Sequence, residues 1–400
     1  MKASTRDRIA TLDVIRGVAV MGILLANLPA FGLPESAYFS PLPWGGAGSA
    51  DRIAWALNYV LVEGKLRGLF SFLFGASVLL VVERAEAAGE NPAAVHYSRM
   101  FWLFVIGCLH LYLFWWGDIL SHYALVGAIA FLFRSMSVPQ LIAAGATAAL
   151  AGWLLSLGGA LVAFGGGPGA AALFAGFGGA DPGMAAELDA MRGGFAEGVR
   201  YRWEHAANPL AYLLIGGPET LGAMLWGMAG LKSGLLTGAW ERARYRRWAA
   251  VTLAIGWTGY AALAAVTIGH GFDPRYVFLD SIVLAAPFRP LLIAGYACLI
   301  VLLMRPGGRL TERIAAAGRA AFTNYLGTTL LMTFAFSGWG LGLFGRIGRA
   351  ELYLLAPLAW TLMLLWSKPW LDRFRYGPLE WLWRSLSRLR PQPMRRQGPL

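Results

Sequence analysis

Ten apolar stretches recur along the chain and predict its architecture. Most have the roughly 20 residues that a helix needs to cross a hydrocarbon core about 30 Å thick. They lie at residues 11–33, 66–83, 100–117, 119–133, 138–164, 209–231, 248–269, 282–304, 320–340 and 351–367. The fourth is short, and the segment from Asp51 to Val62 forms either a further interfacial helix or a re-entrant one. The pattern therefore predicts an all-α bundle of about ten spans, with nine and eleven as the alternatives.

Composition excludes the other broad classes. Hydrophobic residues make up 57% of the 400 residues and charged residues only 14%, against roughly 25% charged in soluble domains. The mean hydropathy is +0.54. Soluble, collagen-like, coiled-coil, disordered and disulfide-rich classes are therefore excluded. Cys108 and Cys298 lie within apolar runs, where a thiol behaves as a small hydrophobic group. The first stretch carries Asp13 and Arg16 and lacks a small-residue cleavage site, which predicts a retained first span rather than a signal peptide.

The positive charge is distributed unevenly between the predicted loops. If both termini are cytoplasmic, about two thirds of the 34 lysines and arginines lie on the cytoplasmic side and about a quarter on the other. This bias predicts an N-in, C-in topology. It also explains the net charge of +12 without nucleic-acid binding.

The predicted domains are a transmembrane bundle over 1–372 and a basic cytoplasmic tail over 373–400. The tail alternates arginines with Trp381, Leu382, Trp383 and Leu386. This pattern predicts an amphipathic helix on the anionic inner leaflet.

The first span contains a stripe of polar residues. Ionisable groups inside a membrane are costly to desolvate, so each one is a candidate functional residue. Asp13 and Arg16 are three positions apart and can pair, and Asn27 returns to nearly the same helix face. In the alternative interpretation, Asp13 caps the helix and Arg16 extends to lipid phosphates.

The third span contains His110 among aromatic and aliphatic residues. A lone histidine is usually a packing residue, but a buried imidazole can also accept a proton near neutral pH. Asp118 follows a break at Gly117 and begins the next helix, where it either orients an imidazole or caps that helix. His122 lies one turn further on the same face. These three residues are the catalytic candidates.

Two further polar groups are candidates for substrate binding. Glu63, Lys65 and Arg67 immediately precede an apolar helix, where they either hold an anionic group of a substrate or anchor the helix at the interface. Glu219 follows Gly216, Gly217 and Pro218 inside the sixth span. A break at this Gly-Gly-Pro sequence would expose helix backbone to a cavity.

Several catalytic signatures are absent from the sequence. It contains no Gly-x-Ser-x-Gly, no His-x-Glu or His-Glu-x-x-His, no Walker loop and no HxxxxD. The glycine-rich stretch at 164–183 lacks the Gly-Lys-Ser/Thr ending of a phosphate loop and predicts a flexible extracytoplasmic loop. Serine-hydrolase chemistry and metal binding are therefore not expected.

Five segments together resemble one known family. They are RIATLDVIRGVAVMGILLAN, EGKLRGLFSFLFGAS, GCLHLYLFWWGDILSHYAL, GRAAFTNYLGTTLL and GPLEWLWRSLS. In this order they are similar to YeiB-like bacterial membrane proteins, the family with domain of unknown function 418. The resemblance extends over nearly the whole chain, with the C-terminal family motifs at about 209–390. It implies a multi-pass protein of the bacterial inner membrane and makes a homodimer plausible.

The LDxxRGxAxxxxxxxN pattern of the first span also resembles a wider group of membrane acyltransferases. This group includes acyltransferase family 3 and the heparan-α-glucosaminide N-acetyltransferase type. The resemblance implies acyl transfer from cytoplasmic acyl-CoA, chiefly acetyl-CoA, to an acceptor reached from the other face. It favours Asp13, Arg16 and Asn27 as the polar stripe of the first helix and His110 as the catalytic imidazole.

Three polar residues enter the ninth span within the family motif. Thr323, Asn324 and Tyr325 either hydrogen-bond an acceptor or join neighbouring helices, an interaction worth roughly 0.6 kcal/mol per bond in membranes.

The leading hypothesis is a membrane acyltransferase that acts on an envelope glycan, a lipid or a small molecule. In this hypothesis His110, helped by Asp118 or His122, deprotonates the acceptor or is itself acylated. Phosphate or a developing oxyanion is held by cationic side chains: Arg16, Lys65 or Arg67. The alternatives are a transporter of a small anionic or amphipathic solute and a non-catalytic scaffold. No permanently bound cofactor and no metal are expected.

Overall fold

The computed structural model describes residues 5–46, 48–167 and 169–396. Within these ranges every regular element is a helix, and one isolated bridge pairs Phe374 with Arg395. Seven helical stretches in the described ranges are long and apolar enough to cross a membrane. They are Ala10–Gly32, Ser49–Ala87, Pro92–Leu113, Val138–Phe164, Arg242–Gly269, Pro274–Leu303 and Arg349–Arg373. The prediction of an all-α membrane bundle is confirmed.

The first ten α-helices extend to Lys232. They are α1 (Thr5–Gly32), α2 (Ser49–Leu61), α3 (Lys65–Ala87), α4 (Pro92–Leu113), α5 (Leu120–Ala130), α6 (Val138–Phe164), α7 (Ala170–Ala175), α8 (Met184–Arg192), α9 (Phe195–His205) and α10 (Pro209–Lys232).

The remaining helices are α11 (Arg242–Gly269), α12 (Pro274–Phe278), α13 (Arg289–Leu303), α14 (Arg309–Arg319), α15 (Ala321–Phe336), α16 (Arg349–Leu352), α17 (Leu355–Arg373) and α18 (Pro378–Ser387). A π-helical turn at Leu279–Leu284 lies between α12 and α13.

Each of the ten predicted stretches coincides with a helix. The fourth is short, as expected, because α5 has 11 residues. The ninth corresponds to α15, which has 16 residues and is therefore about 24 Å long. The additional segment expected at Asp51–Val62 is the separate helix α2, which a turn at Gly64 with φ of 75° divides from α3. The number of crossings and the N-in, C-in topology stay predictions.

Helix α1 lies at the centre of the bundle and α6 at its periphery. In the most apolar window of α1, 72% of the residues are buried inside the protein, against 17% in that of α6. A uniformly apolar surface on α6 therefore faces outward, as expected of a helix in lipid. The residues of α1 instead contribute to the two largest apolar clusters of the structure.

Glycines allow the central helices to approach closely. A Cβ atom on Gly227 of α10 would lie 1.7 Å from the carbonyl oxygen of Phe72, and one on Gly75 of α3 would lie 1.9 Å from that of Met224. The α3–α10 crossing thus brings backbone against backbone, as small residues permit in membrane bundles. Because α10 carries Glu219 and α3 carries Arg67, this crossing also positions polar side chains of the bundle.

The C-terminal helix α18 packs onto the bundle. The Glu380 carboxylate accepts hydrogen bonds from the amides of Phe322 and Thr323, at 2.7 and 3.1 Å, and from the Thr323 hydroxyl at 2.6 Å. Trp383 donates its indole N–H to the Arg99 carbonyl oxygen at 2.9 Å. The start of the predicted tail is therefore fastened to α15 and α4, and its contact with lipid stays a prediction.

Helices α8 and α9 cover the end of α4. Arg202 of α9 donates hydrogen bonds to the carbonyl oxygens of Tyr112 and Leu113, at 3.2 and 2.7 Å. Glu187 of α8 accepts a hydrogen bond from the amide of Glu35, with both carboxylate oxygens at 3.1 Å. The loop between α6 and α10 is thus partly ordered by helices, and it closes the bundle just beyond His110.

We expect Gly227→Ala to prevent normal packing of the α3–α10 crossing. The added methyl group meets backbone, which cannot rotate away as a side chain can, so the helices must separate. Thermal unfolding in detergent will show a large loss of stability or a failure to fold. The matched control is Gly327→Ala on α15, where the new Cβ meets no described atom within 4 Å apart from its own chain neighbours and local helix backbone. Equal effects of the two substitutions would contradict the argument.

Candidate catalytic site

The sequence between α4 and α5 brings His110 and Asp118 together. Helix α4 ends where the amides of Phe114 and Trp115 both bond to the His110 carbonyl oxygen at 3.0 Å. The chain then reverses, and Asp118 Oδ2 accepts hydrogen bonds from the Ser121 amide at 2.8 Å and its hydroxyl at 2.7 Å. Asp118 therefore caps the start of α5 while its other oxygen faces α4.

A buried hydrogen-bond chain passes through the His110 ring. Its Nδ1 lies 2.7 Å from Asp118 Oδ1, and its Nε2 lies 3.0 Å from the Thr329 hydroxyl of α15. The His110 side chain is 3% exposed and that of Asp118 is 0% exposed. Because Asp118 accepts two bonds at Oδ2, we assign it as a carboxylate that also accepts from Nδ1–H. Nε2 then accepts the Thr329 proton, so the imidazole is oriented as a base.

A narrow cavity lies beside this chain, between α1 and α15. Its volume of about 10 Å³ corresponds to roughly one water molecule. Its lining residues are Val20, Ile23, Leu24, Asn27, Phe31, Tyr325, Thr328 and Thr329. Asn27 is one of these lining residues, and its side-chain amide makes no hydrogen bond to the described part of the chain. The cavity therefore joins a polar residue of α1 to the hydroxyl that contacts His110.

The polar stripe on α1 begins at the opposite end of this helix. Arg16 Nη1 lies 3.0 Å from Asp13 Oδ1, so the pair expected from their spacing forms. Arg16 Nη2 also donates to the Ser77 hydroxyl at 3.3 Å. Arg84 and Arg319 are close enough to attract the Asp13 carboxylate. Three arginines thus surround one acid at the end of the bundle where α1 begins.

A second polar group joins α3, α10 and α13. Arg289 Nη1 lies 2.8 Å from both Glu219 oxygens. The Arg289 side chain is 5% exposed, whereas that of Glu219 is 45% exposed. Arg67 donates to the Tyr212 hydroxyl at 3.3 Å. In this group, therefore, the Glu219 carboxylate is accessible while its partner Arg289 is buried.

The sequence expectations for this second group are met only in part. Helix α10 is continuous through Pro218, so the expected break is not observed. Lys65 is fully buried, donates to the Tyr59 carbonyl oxygen, and lies 3.1 Å from the centre of the Tyr260 ring. Its ammonium group is thus engaged inside the bundle. Glu63 accepts a long bond of 3.4 Å from the Tyr38 hydroxyl.

His122 contacts the second group rather than Asp118. Its Nε2 lies 3.0 Å from the Thr220 hydroxyl, and its ring packs 4.8 Å from that of Tyr212. The partner that orients His110 is therefore Asp118.

The polar trio of α15 has divided roles. Thr323 fastens Glu380 of α18, as described above. The Asn324 amide donates to the Ala317 carbonyl oxygen at 3.0 Å and the Ser367 hydroxyl at 3.1 Å, and its oxygen accepts from Trp366 at 2.8 Å. Tyr325 lines the cavity, with its ring centre 5.5 Å from that of His110. Tyr325 is thus the member of the trio at the candidate site.

Three structurally important residues were not among the sequence candidates. Thr329 lies one helical turn after Tyr325 on the same face of α15, and this spacing could have identified it as a neighbour of the candidate site. In the sequence, Arg289 stood out only as a charged residue near or within a span, with no partner indicated. Asp280 is fully buried in the π-helical turn and accepts a hydrogen bond from Thr267 at 2.7 Å. In the described ranges, no group of three or more metal-binding side chains is found.

The fold and this site define a multi-pass helical membrane protein with a buried, oriented imidazole. Residues 231–390 match the family model "Protein of unknown function (DUF418)". The chain is 35% identical to the uncharacterized protein YeiB of Escherichia coli (strain K12), over 95% of this chain and 96% of that protein. It is 31% identical to the uncharacterized protein YxaH of Bacillus subtilis (strain 168), over 98% and 96%. The chain belongs to the YeiB-like DUF418 family.

A more distant relative is the uncharacterized 39.9 kDa protein in the amylase 3′ region of Bacillus acidopullulyticus. It is 26% identical over 97% of this chain and 96% of that protein. These matches extend over nearly the full length of each chain, so the family relationship covers the region of α1 as well as the C-terminal helices.

We expect Glu219→Met to destabilise the protein more than the double substitution Glu219→Met/Arg289→Met. The single change leaves the buried Arg289 charge without its partner, which typically costs about 3 kcal/mol, whereas the double change removes both charges. Unfolding temperatures in detergent will rank the variants. A double variant that is the less stable of the two would contradict this account of the pair.

The packing of α8 and α9 over the end of α4 should depend on the ionisation of Glu187 of α8. Burial raises the pKa of this carboxyl group to about 8, from about 4.3 in an unfolded chain. The folded state thus holds a proton that the unfolded state releases, and this stabilisation is lost as the pH rises through about 8. Between pH 6 and pH 9 we expect the unfolding temperature to fall less in Glu187→Gln than in the unmodified chain. Parallel pH profiles would exclude this role for Glu187.

Proposed function

We propose that this protein is an acyltransferase of the bacterial inner membrane in which His110 is the general base. The observation that carries the proposal is the buried Asp118–His110–Thr329 chain beside the cavity that contains Asn27. A carboxylate at Nδ1 fixes the imidazole tautomer and stabilises the imidazolium that forms when Nε2 accepts a proton. Such positioned proton transfer typically contributes a rate factor of about 10² to 10⁴.

The donor we propose is a cytoplasmic acyl-CoA, with acetyl as the leading acyl group. Arg16 and its neighbours Arg84 and Arg319 supply positive charge where α1 begins, suitable for the phosphates of such a donor. Asn27 is eleven residues further along α1, or about 16 Å, which is similar to the reach of a pantetheine arm. The acyl carbonyl would then lie near Asn27 and His110. Because the cavity holds about one water molecule, α1 and α15 must separate to admit the arm.

The acceptor we propose is a hydroxyl or amine of an envelope glycan, a lipid or a small molecule. It would approach from the end of the bundle that α8 and α9 cover. His110 would remove its proton as the oxygen or nitrogen attacks the acyl carbonyl carbon, and the group that departs from this carbon would take up the proton. The cover would exclude water, which competes with the acceptor for the acyl group.

A transporter of a small anionic solute is the second candidate. It is favoured by the Glu219–Arg289 pair, in which an accessible carboxylate lies against a buried guanidinium in the membrane-embedded part of the bundle. A solute anion could replace the carboxylate on Arg289. Uptake of labelled organic anions into liposomes, compared between the unmodified chain and Arg289→Met, tests this alternative.

We expect detergent-purified protein to bind acetyl-CoA and release CoA slowly. His110→Asn and Asp118→Asn should each reduce release at least about 100-fold while donor binding persists, because they remove the base or its orientation. CoA release is followed with a thiol reagent and donor binding by calorimetry.

The matched control is His270→Gln. This histidine is exposed at the end of α11, with its Nδ1 beside the carbonyl oxygen of Val266 at 2.9 Å, so its loss should leave turnover unchanged. Absence of binding and turnover for acetyl-CoA and for longer acyl-CoAs would overturn the proposal and direct attention to the transporter.

A further inference from the structure

Thr329 differs from the neighbouring threonines of α15 in how its hydroxyl is used. Thr328 donates to the Asn324 carbonyl oxygen at 2.6 Å, and Thr333 donates to that of Thr329 at 2.8 Å. Each is thus satisfied by its own helix backbone. The Thr329 hydroxyl lies 3.3 Å from the Tyr325 carbonyl oxygen but 3.0 Å from His110 Nε2. It also lines the cavity.

We infer that Thr329 is a nucleophile that carries the acyl group between donor and acceptor, an inference that rests on the acyltransferase function proposed above. Asp118, His110 and Thr329 occupy the roles of orienting acid, base and nucleophile in a hydrogen-bonded triad. The distances of 2.7 and 3.0 Å between successive members are those that such a triad requires. Thr329 is 1% exposed, so bulk water does not compete with its hydroxyl for the acyl group.

In the first step, the Thr329 hydroxyl gives its proton to His110 Nε2 while its oxygen attacks the thioester carbonyl carbon. In this step the resulting oxyanion would face the side-chain amide of Asn27, which lines the same cavity and makes no hydrogen bond to the described part of the chain. Collapse of this intermediate breaks the carbon–sulfur bond. The thiolate leaves with the proton from the imidazolium, and an acyl ester remains on Thr329.

In the second step, an acceptor hydroxyl or amine gives its proton to Nε2 and attacks the ester carbonyl carbon. The bond between that carbon and the Thr329 oxygen breaks, and the oxygen recovers a proton from the imidazolium. The chain returns to its starting state without any oxidant or metal. Donor and acceptor therefore need not occupy the narrow cavity at the same time.

The experiment traps the acyl group on the protein. Full-length protein in detergent is mixed with radiolabelled acetyl-CoA in the absence of acceptor, quenched in acid, and digested for mass spectrometry. We expect one acetyl group per chain, as an ester on Thr329, in the unmodified protein and in Thr329→Ser. Thr329→Val, which keeps the side-chain volume, should show no label and at least a 100-fold loss of CoA release.

Thr333→Val is the matched control and should label normally, because Thr333 lies one turn further along α15, outside the cavity lining, and its hydroxyl donates to the helix backbone at the Thr329 carbonyl oxygen. Label on His110, or turnover in Thr329→Val that is close to normal, would overturn the role of Thr329 while leaving the acyltransferase function intact. No CoA release from the unmodified protein would instead contradict the proposed function itself. Unfolding temperatures of all variants confirm that each is folded.

Discussion

The hydrogen bond between His110 and Asp118 joins two helix ends in the apolar interior of the bundle. Lipid offers no partner to a polar group, so each such group must be satisfied within the protein. Asp118 meets this constraint by bonding to Ser121 of α5 and to His110 of α4. His110 in turn meets Thr329 of α15. The Asp118 carboxylate and the His110 ring together thus link α4, α5 and α15 at the candidate site.

The polar network around Arg289 and Glu219 also satisfies its charges within the protein, but it leaves one of them exposed. Arg289 is buried and paired, whereas its partner Glu219 remains accessible. A paired charge of this kind stabilises a particular helix arrangement, and the exposed part of Glu219 leaves its carboxylate open to further contacts. The His110 chain has no such access apart from a cavity of about one water molecule. The catalysis proposed at His110 would therefore require helix movement, for which the cavity between α1 and α15 is the natural place.

The ends of the bundle are closed by segments that lie outside its central helices. Helix α18 is attached to α15 through Glu380, and α9 is attached to the end of α4 through Arg202. Both attachments are to helices that also carry the His110 chain. A displacement of α15 relative to α1 therefore has to be accommodated at α18, which couples the C-terminal region to the candidate site.

Hydropathy alone was sufficient to predict an all-α membrane protein and its ten apolar helices, because burial in lipid imposes long apolar stretches, whereas the short helices between them gave no such signal. The five motifs predicted the family, and the spacing of Asp13 and Arg16 predicted their pair. The sequence left two residues, Asp118 and His122, as the possible partner of His110. It did not identify Thr329 as a partner of His110 or Arg289 as a partner of Glu219. Thr329 and Arg289 each meet their partners across helices distant in the chain, where packing rather than spacing decides which side chains come together. Lys65 and Asn324 show the same limit, since only tertiary contacts reveal that their polar groups are engaged inside the bundle.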